Sequence, residues 1–190
     1  MTVAAWVDGT PIDVAEIEAR LALLRANDRA GSLPVAESRE GRQLRRWVAQ
    51  VVVVEHVCAH LTPGSCSEAH RIPSAGRTNE SGLPAVLSRA DAAALGSIVA
   101  AAWASHPAVP LAATTVTTDV SIPDERRQRA AELSATDDGG AAWSSDQLLT
   151  SARLEAFGRW LAQATHERVR LVEGYEHPGD AAQPDNLHEH

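Results

Sequence analysis

Leu44-Arg45-Arg46-Trp47-Val48-Ala49-Gln50-Val51-Val52-Val53-Val54-Glu55-His56-Val57-Cys58-Ala59-His60-Leu61 is the stretch on which the fold turns. With Pro63-Gly64 as a stop, it reads as a helix from about Ser38 to Leu61. Setting Leu44 at zero and advancing 100° per residue, Trp47, Val48, Val51 and Cys58 fall within about 60° of one stripe. His56 and His60 fall near about 120° and 160°, on an outer face, and Glu55 falls near about 20°, inside the apolar stripe. This separates Cys58, expected as a small buried residue, from the two histidines. A carboxylate in the stripe must be hydrogen-bonded, paired with an arginine of a neighbouring helix, or held protonated as an acid or base.

Upstream, Val3-Ala4-Ala5-Trp6-Val7 reads as a short strand and Asp8-Gly9 as a turn. A helix follows, with Asp13 and Glu16 spaced as a capping box and Val14, Ile17, Leu21 and Leu24 at helical spacing. Downstream, residues 62–86 are rich in Pro, Gly, Ser and Asn and read as a long loop. Ser88 and Asp91 form a second capping box for an Ala-rich helix over Arg89 to Ser105, stopped by His106-Pro107. The β-branched run from Ala112 to Ile122 predicts a strand or extended connection. Pro123 starts a short helix to about Leu133, with Asp124 and Glu125 in its first turn.

After the turn at Asp137-Asp138-Gly139-Gly140, a long helix capped by Ser144 or Ser145 carries Leu148, Leu149, Ala152, Ala156, Phe157, Trp160 and Leu161 inward. Arg168 to Val172 predicts a strand that pairs with residues 3–7 and joins the two ends. The expected fold is therefore mostly α, a single domain over residues 1–174 of about five helices with a small β element. Residues 175–190 form a polar, histidine-containing tail.

Composition narrows the chemistry. All 17 basic residues of the 190 are arginines, so a lysine Schiff base and a Walker-type phosphate loop are excluded. The net charge of −8 disfavours nucleic acid and anionic membranes as partners. No segment reaches the ~18 apolar residues of a membrane span, and no signal-peptide pattern opens the chain, so a cytoplasmic location with reduced Cys58 and Cys66 is expected.

Val7-Asp8-Gly9-Thr10-Pro11-Ile12 followed by Glu16-Ile17 resembles the Val-Asn-Gly-x-x-Ile…Glu-Val pattern of the helical N-terminal part of SurA-type parvulin proteins. Arg42-Gln43-Leu44 leading into Val51 to Glu55 is similar to that part too, and Val116 to Arg129, with Ile122-Pro123-Asp124-Glu125-Arg126, resembles the linker into the isomerase domain. The ending, with Trp160-Leu161, Gly174-Tyr175-Glu176-His177-Pro178-Gly179-Asp180 and Gln183-Pro184-Asp185-Asn186, resembles the close of actinobacterial parvulin-like proteins. Where the family places a catalytic domain of roughly a hundred residues, between Leu133 and Ser145, this chain has only a Gly-rich turn. The resemblance thus implies an α-rich scaffold with its termini brought together and no prolyl isomerase activity.

Histidines gather in two places. His56 and His60 lie one helical turn apart, a chelating spacing that Cys66 or His70 in the following loop would complete; in the tail, His177 is joined by His188 and His190 at an i, i+2 spacing. A tail folded onto the helix would merge the groups into one site suited to Zn(II) or another late first-row divalent ion. Glu55 and Glu176 are the candidate catalytic acids or bases.

Two function classes follow. One is a metal-binding enzyme or accessory protein of a specialised biosynthetic pathway, acting on a small molecule. The other is a non-catalytic, chaperone-like module that holds unfolded peptide in an apolar groove edged by Trp47, Trp103 and Trp160. No motif specifies a substrate or an oligomeric state.

Overall fold

The valine-rich stretch folds as the central helix, although β-branched residues are weak helix formers. In the computed structural model, which describes residues 2–26, 30–61, 87–136 and 143–180, this helix, α2, spans Arg39–Ala59. Ser38 caps it, its hydroxyl accepting from Gly41 N at 3.0 Å. Val48, Val51, Val52, Val53, Val54 and Val57 are all buried. Each buried valine contributes about 1.5–3 kcal/mol, against a propensity cost of at most about 0.7 kcal/mol, so packing decides. Burial runs around α2 rather than along the single stripe expected, because α1, α4, α5, α7 and β1 all pack on it.

The strand Val3–Val7 (β1) turns at Asp8-Gly9 into Thr10–Asp13 (β2), a strand the sequence reading lacked. Asp8 and Gly9 both hold positive φ, 51° and 78°, as a two-residue hairpin turn with the right twist requires. Val169–Leu171 (β3) pairs with the other edge of β1, Trp6 opposite Arg170, giving the order β2-β1-β3. The two ends of the chain are thus joined as the sequence predicts. Pro11 stands opposite Trp6 on the edge strand. Because Asp8 N donates to Arg168 O at 2.9 Å, Trp6 directs its backbone groups at β3, and the missing N–H of Pro11 costs the ladder nothing.

Helix α1 (Val14–Arg25) is capped by Asp13, whose side chain accepts from Ala15 N. The single helix expected over residues 89–105 is broken into α3 (Arg89–Ala93) and α4 (Ser97–Ser105). Gly96, at φ 107°, makes the break in a conformation that side-chain-bearing residues avoid.

The extended run expected from Ala112 to Ile122 is instead largely helical, within α5 (Ala108–Thr117). Thr114, Thr115, Thr117 and Thr118 each donate a hydroxyl hydrogen bond to the carbonyl four residues back, at 2.8–2.9 Å. Those bonds satisfy the hydroxyls within the helix. Val109, Ala112, Ala113 and Thr117 can then be buried on one face, which local β propensity does not foresee.

Asp124–Thr136 forms α6, whose residues up to Leu133 are exposed or half-buried. Arg126 ties it to Glu155 of α7, Ser145–Arg168. Helix α7 begins with a full capping box between Ser144 and Gln147 and buries Ala152, Phe157, Leu161 and Ala164. The described helices therefore number seven rather than about five, the additions coming from the Gly96 break and from α5. Phe157 sits at the heart of the larger core with Val52, Val53, Val57 and Val109. A smaller cluster of Ala4, Ile17, Leu21, Val48 and Ala49 joins α1 to α2, with Trp47 packed against both.

Candidate functional site

The residues singled out on α2 are placed by three neighbours. Glu55 faces inward and is 2% exposed, with Oε2 accepting from Arg20 of α1 at 2.8 Å. Oε1 accepts from the hydroxyl of Ser105, at the end of α4. A buried carboxylate with both oxygens engaged meets the requirement for compensation by pairing. The arginine-paired form foreseen for this glutamate is the one observed.

His56 and His60 do not lie on an open outer face; both are largely covered, by α1 and the β-hairpin. His56 Nε2 lies 3.0 Å from Glu16 Oε1, and His60 Nδ1 lies 3.1 Å from Asp8 Oδ2. Glu16 therefore bonds a histidine of the next helix rather than completing the expected cap with Asp13.

Asp8 is the most heavily used carboxylate. Arg168 Nε lies 2.9 Å from each of its oxygens, and the guanidinium also donates to Oδ2 through Nη2. These hydrogen bonds hold the carboxyl down at about 2, against desolvation, which pulls it up, and with a smaller contribution from His60. The cluster joins the hairpin turn, the end of α2 and the end of α7. Beside it lies an open hollow of about 470 Å³ lined by Trp6, Asp8, Gly9, Glu167, Arg168 and Arg170.

Cys58 is a buried free thiol, and burial pushes it up to about 12. It is neither a nucleophile nor a ligand in this state, because both need the thiolate. In the tail, Glu176 Oε2 accepts from Gly174 N at 2.8 Å and His177 Nδ1 accepts from Gly179 N at 3.0 Å. Both side chains shape local turns. The start of the tail is fixed to α2, since Gln50 Nε2 donates to Tyr175 O at 2.9 Å and Arg46 Nε to Gly174 O at 3.3 Å. Cys66, His70, His188 and His190 lie outside the described residues. Among the described residues, no three of His, Cys, Asp and Glu gather as a metal would require.

The three tryptophans are all half-buried and packed against the larger core. Trp103 meets Phe157 edge-on at 6.3 Å and Trp160 stacks on it at 5.7 Å. Trp47 instead donates through Nε1 to Ser97 Oγ at 3.1 Å. The partners that sequence reasoning missed are Arg20, Ser105 and Arg168, all far from α2 along the chain.

No helix among the described residues is long and apolar enough to cross a membrane. No curated protein and no solved structure matches the chain. Residues 3–40 match the model of a family of unknown function, DUF7158, and that segment supplies Asp8, Glu16 and Arg20, the side chains that engage His60, His56 and Glu55.

Proposed function

We propose that this protein is a non-catalytic binding module that holds an apolar segment of unfolded polypeptide along the seam of α4 and α7. The observation that carries the reading is the Trp103–Phe157–Trp160 cluster. Phe157 is fully buried while both tryptophans are only half-buried, so wide apolar rings on a rigid core reach the surface. Aromatic rings supply large contact area at low entropic cost, which suits a peptide of variable sequence. Glu55, the strongest candidate acid or base, is closed in by Arg20 and Ser105 and has no side open to a substrate.

The test is suppression of aggregation of a reduced, unfolded test protein. Wild-type chain at equimolar ratio slows light scattering, and a Trp103→Leu, Trp160→Leu chain of unchanged circular dichroism loses the effect. Single Trp→Tyr chains, which keep a ring and pack with less loss of volume, retain most of it. Equal suppression by wild type and the Leu chain, or none by wild type, defeats the reading.

A second reading keeps a divalent metal, with His56 and His60 as ligands. One observation favours it: each imidazole is held by a carboxylate through one ring nitrogen, the arrangement that orients metal-binding histidines. Zinc titration of metal-free protein separates the readings. Stoichiometric uptake lost in His56→Ala, His60→Ala supports the metal, and uptake unchanged by that substitution removes those ligands.

A further inference from the structure

The exterior face of the small sheet carries two cross-strand pairs that differ in one respect. Asp8 and Arg168 stand opposite each other and form an ion pair. Two residues along each strand, Trp6 stands opposite Arg170, and beyond the backbone ladder the side chain of Arg170 has no hydrogen bond or ion pair with any described residue. Nor does the indole N–H of Trp6, and both side chains line the same hollow.

Arg168 has its carboxylate; Arg170 has none. The hollow, about 470 Å³, lies in the size range of small-molecule sites, roughly 300–1,000 Å³. Gly9, at positive φ with open space where a Cβ would stand, keeps one side clear. The lining charges are Asp8 and Arg168, which neutralise each other, the exposed Glu167, which takes Gln163 Nε2 at 2.9 Å, and Arg170. A carboxylate between Arg170 and the indole N–H would receive a charge-assisted hydrogen bond from one and a neutral one from the other. A planar body attached to it would meet the edge of the half-buried indole.

We propose that this hollow binds a planar aromatic carboxylate, with the carboxylate on Arg170 and Trp6 Nε1 and the ring against the edge of the Trp6 indole. The site is separate from the α4–α7 seam and does not depend on the function proposed for it. Because Arg170 is exposed and unpartnered, Arg170→Gln leaves the fold intact, which a thermal melt verifies.

The experiment is isothermal titration calorimetry with 1-naphthoate, 1-naphthamide and acetate. Naphthoate binds at one site per chain. The uncharged amide, the ringless acetate and naphthoate on Arg170→Gln each bind at least tenfold more weakly. Arg159→Gln, an exposed arginine of α7 outside the hollow, binds as wild type. Glu167→Gln, which removes a competing negative charge, binds equally or more tightly. No saturable heat at millimolar naphthoate, equal affinity for the amide, or unchanged binding by Arg170→Gln overturns the proposal.

Discussion

At the scale of single residues, Glu55 shows how one letter in an apolar stripe forces a compensation elsewhere. Its helical angle said that a partner was required, and α1 provided Arg20. Arg20→Met leaves a buried carboxylate with only the Ser105 hydroxyl and should cost about 3 kcal/mol in urea unfolding. Ser105→Ala should cost about 1 kcal/mol, since Arg20 still holds the charge.

Asp8 makes a prediction in pH. Its carboxyl lies at about 2 when folded against a reference of 3.8, so its contribution is complete above about pH 4 and is lost as pH falls through 2. Solvent screening holds that contribution to about 1 kcal/mol or less. Urea midpoints of wild type and Asp8→Asn should therefore differ at pH 7 and converge toward pH 2, and parallel curves across that range would refute the assignment. Cys58 should resist iodoacetamide at pH 8 in native protein and react on unfolding, as read by peptide mass spectrometry. Its burial was legible from periodicity alone, whereas the partners of His56 and His60 were not, because nothing local encodes a contact forty or fifty residues away.

At the scale of elements, capping and glycine chemistry mark boundaries well. The Ser88–Asp91 box foreseen from sequence is present with both of its bonds. The Ser144 cap is present too, as a box with Gln147 that the sequence reading did not specify. The largest departure lies at α5, which is a helix because tertiary burial of Val109, Ala112 and Ala113 overrides the β propensity of its threonines. Gly41 shows a constraint no propensity records, since a Cβ there would lie 2.0 Å from Val35 O and 2.6 Å from Ala36 O. Both obstacles are backbone, so the loop must move. Gly41→Ala should cost about 2 kcal/mol despite the better helix propensity of alanine, and a melting temperature at or above wild type would refute the close approach.

At the scale of the whole molecule, the chain closes on itself through β1 and β3, and the segment beyond β3 is stitched to α2 by Arg46 and Gln50. Val172 N donates to Ala4 O at 3.0 Å. A chain ending at Arg168 should lose those bonds together, lose amide-exchange protection in β1, and melt roughly 10 °C lower if about 3 kcal/mol is removed. Protection of β1 equal to the full chain would show that the hairpin stands without β3. By itself the sequence determined the mostly helical class, the central helix, most caps, the burial of Cys58 and the joining of the two ends, since periodicity and turn chemistry act over a few residues. Only the tertiary structure decided that Glu55 is closed by Arg20 and Ser105, that the histidines pair with Asp8 and Glu16, that residues 108–117 are helical, and that Trp6 and Arg170 share a hollow. Those outcomes depend on which distant segments pack together, and burial energies of several kcal/mol there outweigh local preferences of a few tenths.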